Sequence, residues 1–179
     1  MNTILVCGSN NESKTYSLVY SALSAYGKVH GFDSENCFLG FESPEFCIMS
    51  QNRIPKIKDA GGILIFDNKF EIPENQVALS HMTPVFDSNN KNAAKALANS
   101  GSVAVSCGTS QKDTLSLASL DSNSAFISLQ RKIVALNGSE IEPHDFTVKF
   151  KTKTTIYPLL AACAALLICG ISSNEGFEF

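Results

Sequence analysis

The sequence lacks the clusters of basic side chains that sequence-independent nucleic-acid binding requires. Its 179 residues include 14 Lys and Arg against 17 Asp and Glu, which gives a net charge of −3. Because phosphate backbones are bound by grouped Lys and Arg side chains, we expect no nucleic-acid partner. Hydrophobic residues make up 44% of the chain, and this share excludes a mostly disordered protein.

Cysteine pairs and Cys/His clusters with the spacing of a zinc site are also absent from the sequence. The six cysteines are widely spaced, at positions 7, 37, 47, 107, 163 and 169. Several of them lie inside apolar runs, where a free thiol behaves as a small hydrophobic side chain. We therefore expect reduced core cysteines in a cytosolic protein and no metal site.

No apolar stretch is long enough to cross a membrane. The segment 156–171 is almost wholly apolar, but it falls short of the ~20 residues that a spanning helix needs. It is rich in alanine and ends at Cys169-Gly170, a natural helix end, which predicts a helix buried against a sheet. The first eight residues lack the features of a signal peptide and predict a buried strand instead. We expect no membrane partner and a cytoplasmic location.

Short apolar runs alternate with helical patterns over the first half of the chain. Strands are predicted at 3–7, 28–32, 45–50, 62–66, 83–87 and 102–106. A helix is predicted from Ser13 to a C-cap at Gly27, and a second one at 89–98. The runs 45–50 and 62–66 are continuously apolar between turn residues, as is typical of strands buried on both faces.

The pattern changes after residue 108. Residues 114–120, 125–129 and 146–150 alternate apolar and polar side chains, which is typical of antiparallel strands with one solvated face. Asn137-Gly138 predicts a hairpin with a two-residue turn, and the tail 175–179, with its two Phe residues, is predicted to fray.

These patterns together predict a single α/β unit over residues 1–179. Its parts are a parallel α/β part at 1–108, an antiparallel β-rich part at 109–151 and a closing helix at 152–171. The expected fold is a three-layer, P-loop-like, mainly parallel sheet flanked by helices, with a small antiparallel β annex.

The segment between the first strand and the first helix has the layout of a phosphate-binding loop. Such a loop needs backbone N–H groups, the positive end of a helix dipole, a lysine for the phosphates and a hydroxyl for magnesium. The segment 8–15 matches G-x-x-x-x-G-K-[ST] at every defined position except the second glycine, which is Ser13. The candidate nucleotide-binding residues are Gly8, Ser9, Asn10, Ser13, Lys14 and Thr15.

Two features of this loop disfavour a triphosphate. The Cβ of Ser13 narrows the cradle at a position where glycine lets the backbone approach the phosphates, and Glu12 adds a negative charge. The alternative interpretation is structural: Ser13 caps the helix, and Lys14 is solvated.

Four segments, in order along the chain, carry a family resemblance. Residues 4–10 resemble a strand followed by "TGTN", and residues 83–89 resemble an "N-x-D-D-P" turn. Residues 102–108 with 112–118 are similar to a strand pair, and residues 156–171 are similar to an alanine-rich closing helix. In this order the segments resemble the ATP-binding central domain of the Mur ligases and folylpolyglutamate synthases, over nearly the whole chain.

The resemblance implies an ATP and Mg²⁺ site that forms amide bonds through an acyl phosphate, but several family features are missing. The family loop "G-T-N-G-K-T-T" aligns with Lys14 and Thr15 only after two inserted residues. The third strand ends at Ser50-Gln51-Asn52 without the glutamate that holds magnesium, and Tyr157-Pro158 stands near a family asparagine. The family's "T-N-L-x-x-D-H-L-D" has no clear counterpart at 66–71, and the flanking substrate and C-terminal domains are not seen in the sequence.

We therefore expect a degenerate Mur-ligase-like domain that is not catalytic and acts as a binding or regulatory module. ATP with Mg²⁺ would be bound weakly or no longer bound, and a protein partner or self-association would complete its role. The alternative is an ATP-dependent ligase of the cell-wall peptide or folylpolyglutamate type, completed by partner chains. A Rossmann-like sugar- or dinucleotide-binding domain is disfavoured because no G-x-G-x-x-G follows the first strand.

The remaining candidate residues point to structure. No Ser/His/Asp triad can be assembled, and no G-x-S-x-G is present. Asp87, Asp113 and Asp121 stand at predicted strand ends or turns, where Asp side chains accept hydrogen bonds from the backbone.

Overall fold

The computed structural model describes residues 1–8, 13–33, 35–40, 42–55, 61–72, 81–98 and 100–179. The helices are α1 (Lys14–Tyr26), α2 (Lys91–Leu97) and α3 (Ile156–Ile168). The strands of the first half are β1 (Asn2–Cys7), β2 (Val29–Phe32), β3 (Cys37–Phe38), β4 (Phe46–Gln51), β5 (Gly62–Phe66), β6 (Met82–Asp87) and β7 (Val105–Gly108). Those of the second half are β8 (Leu115–Leu120), β9 (Ser124–Leu129), β10 (Ile133–Val134), β11 (Glu140–Ile141), β12 (His144–Lys149) and β13 (Phe177–Glu178).

Within the described residues, eleven strands form one sheet in the order β13-β12-β9-β8-β7-β6-β5-β1-β4-β2-β3, and β10 pairs with β11 in a separate two-stranded sheet. The pairs from β2 through β4, β1, β5, β6 and β7 to β8 are all parallel. Antiparallel pairs join β2 to β3, β8 to β9 and β9 to β12. The predicted α/β class, with a mainly parallel sheet and a small antiparallel part, is confirmed.

Alternation along β1 divides the core into two layers, because successive side chains of a strand point to opposite faces. Ile4 and Val6 pack with the cluster that contains α1 and α3. Leu5 and Cys7 pack with the cluster on the opposite face, which contains Ala93 of α2. The sheet therefore lies between a layer of two long helices and a layer with the shorter α2.

Helix α3 is buried on all sides from Tyr157 to Ile168. It ends at Cys169, and Gly170 follows with φ +83°, a left-handed conformation that glycine adopts without a Cβ penalty. The sequence prediction of a helix buried against the sheet is confirmed. Among the described residues, no helix is long and apolar enough to cross a membrane.

Three local predictions differ from the structure. Strand β7 begins at Val105 rather than at 102, since Val103 is 88% exposed and pairing with β6 begins only at Val105. The hairpin around Gly138 forms, but its connection covers 135–139, where the N–H of Ala135 donates to the carbonyl of Ser139. Strand β8, predicted as antiparallel from its alternation, is antiparallel only to β9, and it starts beside the last residues of β7 in parallel pairing.

The prediction that the tail frays is wrong. Phe177 is 2% exposed, and its ring packs edge-on against Tyr26 of α1 and Phe146 of β12. The segment pairs with β12 as β13, and the N–H of Glu178 donates to the hydroxyl of Tyr26 at 2.9 Å. Burial of one aromatic ring between two others outweighs the conformational freedom of a chain end.

Candidate functional site

The predicted loop leaves the carboxyl edge of the parallel strands, at the end of β1. In the strand order β1 lies between β4 and β5, and the chain leaves β1 for β2 on one side of it but later continues from β5 to β6 on the other. Open α/β sheets bind ligands outside the carboxyl ends of the strands where the connections change direction in this way. This edge is therefore the place to look for a site.

Gly8, the first candidate residue, lies directly beneath the turn that follows β5. Its φ is +94°, and a Cβ at this position would lie 2.5 Å from the Cα of Phe70. The turn is fixed there by a hydrogen bond from the N–H of Asp67 to the carbonyl of Cys7 at 2.8 Å. Glycine is required here because the protein's own backbone approaches it closely.

Ser13 is the N-cap of α1, and it is buried. Its Oγ accepts from the N–H of Tyr16 at 3.0 Å and donates to the Oδ2 atom of Asp67. The structural interpretation of Ser13 as a helix cap is therefore confirmed. Both the donor and an acceptor position of the hydroxyl are used within the protein.

Asp67 is the residue that sequence reasoning missed. It follows β5 directly, it is 6% exposed, and its Oδ1 accepts from the N–H of Lys69 at 3.3 Å. The side chain of Asn90 donates to the Asp67 carbonyl at 3.2 Å and holds the turn from the α2 side. An Asp directly after a buried apolar strand was the available signal, because such a residue is placed at the carboxyl edge.

The remaining candidate residues of the loop differ in their exposure to solvent. Lys14 is exposed at the first position of α1, whereas Thr15 is 1% exposed. Ser9 and Asn10, together with Glu12, lie outside the described residues. The structure thus brings Gly8, Ser13 and Asp67 together at the sheet edge and directs Lys14 into the neighbouring cleft.

An open cleft of about 1550 Å³ lies beside the start of α1. We call it the cationic cleft. Four segments line it: the first two turns of α1, the β2–β3 connection with Phe38, residues 50–53 at and beyond the end of β4, and residues 152–155 before α3. Its basic side chains are Lys14, Arg53 and Lys153.

Of the three aspartates predicted to accept hydrogen bonds from the backbone, Asp87 and Asp113 do so in the structure. The Oδ1 of Asp87 accepts from the N–H of Asn89 at 2.8 Å, and the Oδ2 of Asp113 accepts from the N–H of Ser110 at 3.0 Å. Within the described ranges, no group of three or more His, Cys, Asp and Glu side chains is placed to hold a metal ion. All six cysteines are free thiols.

Burial governs the chemistry of the cysteine and tyrosine side chains near this edge. It raises the pKa of the Cys7 thiol from 9.0 to about 12. It also raises the pKa of Tyr157 well above its usual value, with smaller contributions from Cys107 and Asp67. The Tyr157 hydroxyl donates to the carbonyl of Phe66, and so ties the start of α3 to the end of β5. These groups are structural, since neither is poised to ionise near neutral pH.

No family model matches the sequence, and no curated protein matches it. Solved structures are similar in fold. One is the UDP-N-acetylmuramoylalanyl-D-glutamyl-2,6-diaminopimelate–D-alanyl-D-alanyl ligase of Acinetobacter baumannii, with a TM-score of 0.56 and 10% identity over 96% of this chain and 44% of that one. Another is the MurF ligase of Thermotoga maritima in complex with ADP, with a TM-score of 0.53 and 12% identity over 98% of this chain and 46% of that one.

The expected resemblance to the Mur ligases is therefore confirmed at the level of the fold. This chain spans less than half the length of the two ligases. At 10% and 12% identity the likeness concerns architecture and not chemistry.

Proposed function

We propose that this chain is a degenerate domain of the Mur-ligase central type, which acts as a binding or regulatory module and does not catalyse ligation. The observation that carries the proposal is the hydrogen bond from Ser13 to the carboxylate of Asp67 at the N-terminus of α1. A helix N-terminus attracts an anion, and here a carboxylate of the protein occupies that position.

Charge repulsion supports weak or lost nucleotide binding. A phosphate brought to within ~4 Å of the Asp67 carboxylate would be repelled by about 4 kcal/mol at an effective dielectric of ~20. The Ser13 hydroxyl already donates its hydrogen bond to Asp67 and accepts one from the N–H of Tyr16. It therefore has no donor left for a new ligand. The space above Gly8 is filled by Phe70.

The end of β4 supports the same conclusion for magnesium. The residues that reach the cleft there are Ser50, Gln51 and Asn52, which carry a hydroxyl and two amides. Mg²⁺ in phosphate-transfer sites is held by carboxylates together with the phosphates. The residues at this strand end do not fit a magnesium ion that must also neutralise a transferred phosphate.

The alternative function is an ATP-dependent amide ligase completed by partner chains. It is favoured by the exposed Lys14 at the start of α1, a position from which a lysine can reach phosphates, and by the ADP complex of the Thermotoga ligase. In this alternative Asp67 would help to hold Mg²⁺, and partner chains would complete the ligase.

Isothermal titration calorimetry with ATP, in the presence and absence of Mg²⁺, tests the proposal. We expect no saturable heat, or weak heat that Mg²⁺ leaves unchanged, up to millimolar ATP. Binding that Mg²⁺ strengthens by tenfold or more, which is about 1.4 kcal/mol, would contradict the proposal and favour the ligase.

The variant Asp67→Asn separates the two functions by the sign of its effect. It removes the charge but keeps an oxygen that accepts from Ser13, so a degenerate site should bind ATP more tightly. A magnesium-dependent ligase should bind MgATP less tightly after the same change. Asp145→Asn is the matched control, because Asp145 is exposed on β12.

A further inference from the structure

The cationic cleft holds three basic side chains that have no carboxylate partner in the described part of the chain. Lys14, Arg53 and Lys153 come from three different segments. Lys132 and Glu140 form an ion pair with each other, and neither of them lines the cleft. Three like charges on the walls of one cleft repel each other unless an anion lies between them.

The N-terminus of α3 adds to this positive field. Its N-cap residue Thr155 lines the cleft, makes no side-chain cap hydrogen bond, and is followed by a first turn without acidic residues. The positive end of this helix dipole is therefore not neutralised by its own first turn. Helix α1 differs, because Ser13 and Asp67 already occupy its N-terminus.

Two acidic residues, Asp33 and Glu35, also line the cleft, and the Asp33 carboxylate is used within its own turn. The Oδ1 of Asp33 accepts from the N–H groups of Glu35 at 2.8 Å and of Asn36 at 2.7 Å. The side chain of Asn36 also donates to this carboxylate. These hydrogen bonds satisfy the Asp33 carboxylate within its own turn.

Three aromatic side chains of the cleft form a wall that runs from α1 to the edge strand β3. The rings of Tyr16 and Tyr20 are stacked with their centroids 6.3 Å apart, and the ring centroids of Tyr20 and Phe38 are 6.0 Å apart. Phe38 is 49% exposed and Leu39 is 61% exposed. Tyr16 is buried, and its hydroxyl has no hydrogen-bond partner among the described residues. The exposed part of the wall, at Phe38, therefore offers apolar contact to a ligand.

The size of the cleft favours a chain over a compact ligand. Small-molecule sites usually enclose about 300–1,000 Å³, whereas this cleft has about 1550 Å³ and is open on one side. Strand β3, which carries Phe38, is the last strand of the sheet in the described residues. An edge strand of this kind can accept hydrogen bonds from an extended peptide.

We propose that the cationic cleft is the docking groove for an acidic peptide segment of a partner protein, with its carboxylates on Lys14, Arg53 and Lys153 and an aromatic side chain on Tyr20 and Phe38. The inference rests on the proposed function, because it names the partner of the binding module. Carboxylates match the unpaired cations, and an aromatic residue matches the exposed end of the aromatic wall.

The test titrates the full chain into fluorescein-labelled peptide pools and measures anisotropy. One pool has two adjacent Glu residues and one Phe fixed among random positions, and the control pool has Gln in place of Glu. We expect saturable binding to the Glu pool, at least tenfold tighter than to the Gln pool, that weakens as the salt concentration rises.

Surface variants assign the binding to the cleft. The double variant Arg53→Gln with Lys153→Gln should weaken binding of the Glu pool by about tenfold or more, and Phe38→Ser should weaken it by about threefold or more. Lys95→Gln is the matched control, because Lys95 is exposed on α2, on the opposite face of the sheet. All four side chains are exposed, so folding should be unaffected, and circular dichroism checks this.

Three outcomes would overturn the proposal: no saturation with the Glu pool, equal affinity for the two pools, or unchanged affinity in the double variant. Displacement of the peptide by micromolar inorganic tripolyphosphate would also overturn it, since the cleft would then be a site for small polyanions. These results are independent of the ATP titration. ATP binding that Mg²⁺ strengthens would contradict the proposed function, but the affinities for the two peptide pools could still be interpreted.

Discussion

The hydroxyl of Ser13 donates a hydrogen bond to the carboxylate of Asp67, although the two residues are 54 positions apart in the chain. The bond joins the first turn of α1 to the end of β5. It also places a negative charge at the helix N-terminus, where a phosphate-binding loop would hold its ligand. The same contact therefore stabilises the fold and disfavours the binding of a phosphate group at this position.

Removal of this contact should lower stability measurably. Ser13→Ala removes the cap of α1 and one donor to the buried Asp67 carboxylate, so we expect a loss of about 1–3 kcal/mol in the free energy of unfolding. Urea unfolding followed by circular dichroism measures it. Ser17→Ala is the control, because Ser17 is exposed and its Oγ donates only to the Ser13 carbonyl. A loss in Ser13→Ala no larger than in the control would show that the contact contributes little.

Gly8→Ala should be among the more destabilising single-methyl substitutions in the chain. The new Cβ meets the backbone of Phe70 and also requires an unfavourable φ of +94°, which together should cost about 2–4 kcal/mol. Gly101→Ala is the matched control: Gly101 has φ +67° but open space around it, so only the conformational cost of about 1 kcal/mol should appear. Thermal unfolding of both variants compares the two effects, and equal losses would contradict the close approach of Phe70.

Two buried tyrosines should respond oppositely to loss of the hydroxyl. Tyr157→Phe deprives the carbonyls of Phe66 and Val85 of a donor, and should cost about 1–2 kcal/mol. Tyr16→Phe removes a buried hydroxyl that has no partner in the described residues, so it should be neutral or stabilising. Chemical denaturation of both variants decides this, and an equal loss in the two would be inconsistent with the hydrogen bonds.

Stability should fall in alkaline solution. Burial raises the pKa of Cys7 and of Cys169 from 9.0 to about 12. Above pH 9 the unfolded chain releases thiol protons that the folded chain retains. The contribution of these thiols to the free energy of unfolding is therefore fully present below pH 9 and is lost as the pH rises toward 12. Each such thiol contributes up to about 1.4 kcal/mol per pH unit in this range. Urea unfolding at successive pH values measures the slope.

Exposure of the thiols provides the control for that prediction. Cys37 is the exposed cysteine on β3, whereas Cys7 is fully buried. A thiol reagent at pH 8 should therefore modify Cys37 rapidly and Cys7 only after unfolding. Cys37→Ser should leave the alkaline slope unchanged, and Cys7→Ala should reduce it. A slope that is the same in all variants would exclude Cys7 as a contributor.

Much of the architecture followed from local patterns. The continuous apolar runs that became β4 and β5, and the apolar spacing with Gly27 that became α1, are short-range signals of burial and of capping. They predicted the mainly parallel sheet with helices, and the alanine-rich helix against it, without knowledge of any long-range contact.

The site was less accessible to such reasoning. The spacing of Gly8 and Lys14 predicted a loop at the sheet edge, and Ser13 was recognised as a possible cap. The position of Asp67 after a buried strand indicates the sheet edge, but nothing near it in sequence indicates that it will contact Ser13. The tail was predicted to fray because a short segment with two Phe residues gives no local sign that β12 and α1 will receive Phe177.

The amino-acid sequence by itself determined the order of strands and helices, because periodicity, caps and turn residues act within a few positions. The tertiary structure alone decided which side chains meet at the carboxyl edge: Asp67 on the N-terminus of α1, Phe70 above Gly8, and Lys14 with Arg53 and Lys153 around one cleft. Contacts of this kind depend on the register and crossing of distant strands, which pair only when the whole sheet has formed.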